Sequence, residues 1–139
     1  GEKFSVPNNI YLIGTMNTAD RSIAMVDYAL RRRFSFISLM PQFNKRFEEA
    51  LGSAGFGKTI KKKIIDRINS LNEEIRSDKS NLGEGYQIGH SYFCPDGFKP
   101  YNKAWYNKKI KYEIEPLLKE YWFDEQDRVQ GILENLILK

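Results

Sequence analysis

The chain has 139 residues, 41% hydrophobic and 29% charged, a globular balance with length enough for one core. A single cysteine, Cys94, excludes an internal disulfide, and with a single histidine it also excludes a Cys/His zinc site, so a reduced, cytoplasmic setting is the simple expectation. The net charge of +4 (22 basic minus 18 acidic) permits nucleic-acid contact without demanding it, and no apolar run approaches the ~20 residues that span a bilayer.

In chain order, Asn9-Ile-Tyr-Leu-Ile-Gly14 is a short, nearly continuous apolar run rich in β-formers, which predicts a strand buried on both faces. It ends in the polar stretch Thr15 to Ser22, suited to turn and N-cap roles. Ile23, Val26 and Leu30 then share one face of a predicted helix that closes in Arg31-Arg32-Arg33, where positive charge complements a helix C-terminus. Phe34 to Leu39 alternates and predicts a second strand, ended by Pro41. From there the pattern is helical. Phe43, Phe47 and Leu51 lie four apart, and Ile60, Ile64, Ile68, Leu71 and Ile75 make a long apolar stripe at 3.6 spacing. Residues 76–103 are rich in Gly, Asn, Ser, Asp and Pro. Helix resumes near Ala104, with Pro116 opening a fresh first turn, and a last helix carries Val129, Ile132, Leu133, Leu136 and Ile137. The fold class expected is mainly α with a small parallel β element, divided into residues 1–41 and 42–139. Two strands do not make a stable parallel sheet alone, so the first part reads as the end of a larger α/β layer.

Residues 52–59, GSAGFGKT, match the phosphate-cradling pattern G-x-x-x-x-G-K-S/T, which needs a buried strand before it and a helix after it. Phe47-Glu-Glu-Ala-Leu51 is instead a charged helical turn. The stretch therefore reads as a helix–helix connection, with Gly52 as a helix C-cap and Gly55 to Lys58 leading into the next helix.

Asn9-Ile-Tyr-Leu-Ile-Gly-Thr-Met-Asn-Thr-Ala-Asp-Arg-Ser22 followed by Asp27-Tyr-Ala-Leu-Arg-Arg-Arg-Phe34 closely resembles the McrB family. These are the GTP-hydrolysing AAA+ subunits of restriction systems that cut DNA containing methylated cytosine. Ile88-Gly-His-Ser-Tyr-Phe93 and Pro116-Leu-Leu-Lys-Glu-Tyr-Trp-Phe-Asp124 resemble that family's helical lid. The resemblance implies the distal end of an AAA+ α/β module followed by its lid.

It also implies roles. Asn17 matches the family's sensor position, where it could hold the attacking water or a γ-phosphate oxygen, and Asp20 and Arg21 belong to the same motif. Arg32 and Arg33 are candidates for the arginine finger, a guanidinium that stabilises phosphoryl-transfer charge in a neighbouring subunit. Gly89, His90 and Ser91 match the lid's sensor region, near nucleotide. Simpler readings stand beside these: Asp20 or Ser22 capping the helix at Ile23, arginines serving a helix end, and His90 packing among aromatics. Implied cofactors are GTP and Mg2+ in the full-length protein, with none held tightly by this stretch. Implied partners are further copies in an AAA+ ring, commonly a hexamer, an McrC-like endonuclease, and DNA through that complex; no membrane and no dedicated metal site are expected. The competing reading is a basic nucleic-acid-binding module built on the Lys61-Lys62-Lys63 run.

Overall fold

A computed structural model describes residues 5–17, 28–97 and 99–139. The chain forms two compact units, Gly1–Phe34 and Ser35–Lys139.

In the first unit the described helix is α1 (Tyr28–Arg31), closed by the Arg33 and Phe34 amides donating to the Leu30 carbonyl at 3.0 Å each. Ile23 and Val26, expected on this helix, lie outside the described residues. The expected β element is not found: no strand occurs among the described residues, and segments 9–14 and 34–39 run without a ladder. Their side chains stand in solvent, Ile13 at 94% and Leu39 at 92% exposure. The apolar pattern records a demand for burial, but a strand also needs a neighbouring strand for its backbone N–H and C=O groups, and no strand lies beside these segments among the described residues.

The second unit is helical. α2 (Lys45–Ser53) starts at Asn44, whose side chain accepts from the Phe47 amide at 3.2 Å. α3 (Lys58–Ser77) buries Ile64, Ile68, Leu71, Asn72 and Ile75. Between them GSAGFGKT forms the joint, and here Gly52 differs from its expected role. It lies inside the last turn, and the cap is Ala54. Gly55, at φ 100°, takes the left-handed position that glycine occupies without steric cost. The Gly55 amide donates to Gly52 O and the Phe56 amide to Leu51 O, with both Leu51 and Phe56 buried. That is the Schellman closure with its hydrophobic contact.

After two 3-10 turns (Glu84–Tyr86 and His90–Phe93), α4 (Lys103–Lys109) begins at Asn102, which accepts from the Trp105 amide at 3.0 Å. α4 does not stop before Pro116. It passes through a π-helical turn, Ile110–Ile114, into α5 (Glu115–Tyr121). The π turn is closed by the Glu115 amide donating to the Ile110 carbonyl, five residues back. This wider winding lets the helix run past a proline that has no N–H to give. It also sets the core register. Tyr106, Ile110, Ile114, Leu118 and Trp122 are each four apart and each fully buried. A spacing of four drifts around a 3.6-residue helix, and the π turn takes the drift back. α6 (Gln126–Leu136) adds Val129, Ile132, Leu133 and Leu136 to the same core.

Two side chains fasten the end of α6. Arg67 on α3 donates to the carbonyls of Leu136 and Ile137, both at 2.8 Å. The Asn107 carboxamide on α4 accepts from the Leu138 amide and donates to its carbonyl, both at 2.9 Å.

Candidate functional site

The sequence-derived candidates fall in both units. In the first, Asn17 is exposed at the end of the extended segment, while Asp20 and Arg21 lie outside the described residues. The Arg32 guanidinium lies over the Tyr28 ring at 5.2 Å, and the Arg33 amide closes the turn after α1. Both arginine side chains are exposed at this helix end. Three adjacent residues diverge around a helix terminus, so they offer separate guanidinium directions rather than one cluster.

In the second unit, Gly89, His90 and Ser91 are held together by a network around the second 3-10 turn. His90 Nδ1 accepts the Gln42 amide at 3.1 Å, which puts the imidazole proton on Nε2. Phe43 and Phe47 meet the ring edge-on at 6.3 and 5.9 Å. Gln42 is braced in turn, its Nε2 donating to Met40 O and its Oε1 accepting from Asn44 Nδ2 at 2.9 Å. The imidazole thus ties segment 40–44 to the His90 turn. A Cβ at Gly89 would come within 3.3 Å of Ser91 Oγ, a hydroxyl that would have to give slightly to admit it.

Asn72 was not among the sequence candidates, yet it organises this region. It is 4% exposed, and its carboxamide grips both backbone groups of Ile88: the Ile88 amide donates to Oδ1 at 2.6 Å, and Nδ2 donates to Ile88 O at 2.9 Å. The residue before Gly89 is thereby fixed to α3. The signal available in the sequence was a polar residue beside Leu71 on the apolar stripe. Next to it Gln87 is poorly satisfied: its Nε2 reaches Asn72 O at 3.5 Å, and its Oε1 is buried without a partner. Asn72 and Gln87 line a cleft of about 350 Å³ with Met40, Pro41, Asn69, Glu73, Arg76 and Glu84. Among the described residues no group of three or more His, Cys, Asp and Glu could hold a metal ion, and no helix is long and apolar enough to cross a membrane.

A second, half-buried cluster is structural. The Trp122 indole N–H donates to Asp78 Oδ2 at 2.8 Å, and Arg128 lies over the Trp122 ring at 4.3 Å while pairing with Glu74, Asp78 and Glu125. This sews the end of α3 to the α5–α6 turn. The indole N–H, with help from Ser80 and Asn81 and against the effect of burial, holds the Asp78 carboxyl at about 2.

This helical unit, a long amphipathic α3 packed on a π-interrupted helix and a closing α6, is a lid-type domain. Residues 63–130 match the family described as McrB, alpha-helical lid domain. Across 98% of its length the chain is 46% identical to the "Type IV methyl-directed restriction enzyme EcoKMcrB subunit" of Escherichia coli (strain K12). It spans 30% of the length of that relative. The similarity therefore extends beyond the lid to the segment that carries Asn17 and the arginines.

Proposed function

We propose that the chain is the distal end of a nucleotide module and its lid in an AAA+ GTPase subunit, one that powers DNA cleavage by a modification-dependent restriction complex. The observation that carries this reading is the 46% identity, over nearly the whole chain, to a subunit of a methyl-directed restriction enzyme. In this reading Asn17, with Asp20 and Arg21, orients the attacking water at the γ-phosphate of GTP. Arg32 or Arg33 reaches into a neighbouring copy of the ring as the finger. Gly89, His90 and Ser91 face the nucleotide from the lid, and the His90–Gln42 bond couples that face to segment 40–44. Mg2+ would arrive with the nucleotide and take its ligands from outside the described residues, and an McrC-like endonuclease would be the driven partner.

The test is made in the full-length protein. Arg33→Ala is expected to lower GTP turnover by roughly 10³-fold or more, the worth of an arginine finger, and Asn17→Ala to abolish it, with the circular dichroism spectrum of both variants unchanged. Normal turnover in both would remove the site assignment. The 139-residue chain alone is expected to show no GTP turnover.

The basic-module reading draws less support. Lys61 is turned to Glu48 at 3.9 Å, and Lys62 and Lys63 are exposed on α3, the ordinary place of charge on a solvated helix face.

A further inference from the structure

The hydrogen bond from the Gln42 amide to His90 Nδ1, at 3.1 Å, joins two parts of the helical unit that lie 48 positions apart. Residues 40–43 also make the bonds from Gln42 Nε2 to Met40 O and from Asn44 Nδ2 to Gln42 Oε1, and both of these stay within segment 40–44. The His90 bond is therefore the polar tie that holds Met40, Pro41 and Gln42 to the rest of the unit. Phe43 is held differently: it is buried, with its ring centre 5.2 Å from that of Phe47 and 6.2 Å from that of Phe93. Met40 and Pro41 form an apolar wall of the cleft beside Asn72, so the same bond fixes one side of that cleft.

The acceptor in this tie is a group that can lose its lone pair. Histidine is the side chain whose charge changes between about pH 5 and pH 8, and a protonated imidazole carries N–H on both nitrogens. Two donors would then face each other, and the flanking rings of Phe43 and Phe47 offer the Gln42 amide no other acceptor. The charged groups on the elements packed around the ring are exposed or engaged elsewhere. On α2, Glu48 is turned to Lys61, and Lys45, Arg46 and Glu49 are exposed. On α4, Lys109 pairs with Asp96 and Glu113, and Lys103 and Lys108 are exposed. On α3, Glu73 pairs with Arg76. On its own turn the titratable neighbour is Cys94, whose thiol donates to the His90 carbonyl at 3.6 Å.

We propose that His90 is a proton-operated latch. With the ring neutral, Nδ1 holds the Gln42 amide and residues 40–42 stay fastened. With the ring protonated the bond is lost, residues 40–42 lift, and the cleft beside Asn72 opens on the side of Met40 and Pro41. Phe43 stays packed, so the motion pivots there and leaves α2 wound. Holding the amide favours the neutral ring, so the latch is closed above the titration of His90 and opens as pH falls through it.

Hydrogen exchange of the ¹⁵N-labelled chain is followed by NMR from about pH 8 to about pH 5, each amide being referred to its unstructured rate at the same pH. Protection of the Gln42 amide is expected to fall by about three- to tenfold, the scale of one net hydrogen bond, in step with the ring-proton signals of His90. The Phe47 amide, held by the Asn44 side chain, is expected to keep its protection. His90→Asn, whose Oδ1 takes the place of Nδ1 and does not titrate, is expected to hold the Gln42 amide equally at both ends of the range. Constant protection of Gln42 while the ring titrates, a fall that persists in His90→Asn, or an equal fall at Phe47 would each overturn the latch. None of these readouts involves nucleotide, so they are separate from the test of the motor reading.

Discussion

Both ends of the Asn72 carboxamide are used on the backbone of one residue, Ile88, so its loss leaves an amide and a carbonyl buried without partners. Each such orphan costs roughly 1–3 kcal/mol, and Asn72→Ala is expected to destabilise the chain by about 2–4 kcal/mol in urea unfolding. Asn69→Ala, one turn away and exposed, is expected to change stability by less than about 0.5 kcal/mol. A shift of equal size in both variants would show that the Ile88 contact is not the cause. The sequence hid this residue because its two partners are reached only after the chain doubles back sixteen positions later. His90, by contrast, drew notice as the single histidine, and its acceptor bond to Gln42 could not be read from a string in which the two lie 48 positions apart.

The helices were largely legible, because their causes are local. Asn44 and Asn102 are side-chain caps, the α3 stripe is regular, and GSAGFGKT was separated from a phosphate loop by the charged turn before it. What the structure does not show, or shows differently, depends on partners or on winding. Segments 9–14 and 34–39 have strand composition, but composition does not supply a neighbouring strand. The fourfold ladder from Tyr106 to Trp122 escapes an α-helical template, which does not hold a strict spacing of four in line. The sequence pattern points to Gly52 for the helix end that Gly55 closes. Gly55→Ala, placing a side chain at φ 100°, is therefore expected to cost about 1–2 kcal/mol by chemical denaturation, more than Gly52→Ala, whose added Cβ would meet only the movable Lys61 side chain. The reverse order would disprove the Schellman assignment of this joint.

Across the helical unit the Asp78–Trp122–Arg128 cluster joins residues about fifty positions apart, and it makes stability depend on acidity. The folded-state value of Asp78, about 2, lies below the ordinary carboxyl value of 3.8. Its contribution is therefore complete above the unfolded value and disappears as pH falls through the folded one. Melting temperature is expected to fall between about pH 4 and pH 2, and Asp78→Asn to flatten that limb while lowering stability at neutral pH. An unchanged acid limb in the variant would assign it to other carboxylates.

The His90–Gln42 bond has a spectroscopic consequence. An imidazole whose Nδ1 is an acceptor carries its proton on Nε2, and the two ring nitrogens of that tautomer resonate far apart in a long-range ¹H–¹⁵N spectrum. With a single histidine in the chain there is no overlap to resolve. Release of segment 40–44 from the 3-10 turn would collapse that separation toward an exchange average, so one pair of signals reports whether the helical unit is fastened at the place where residues 35–44 enter it.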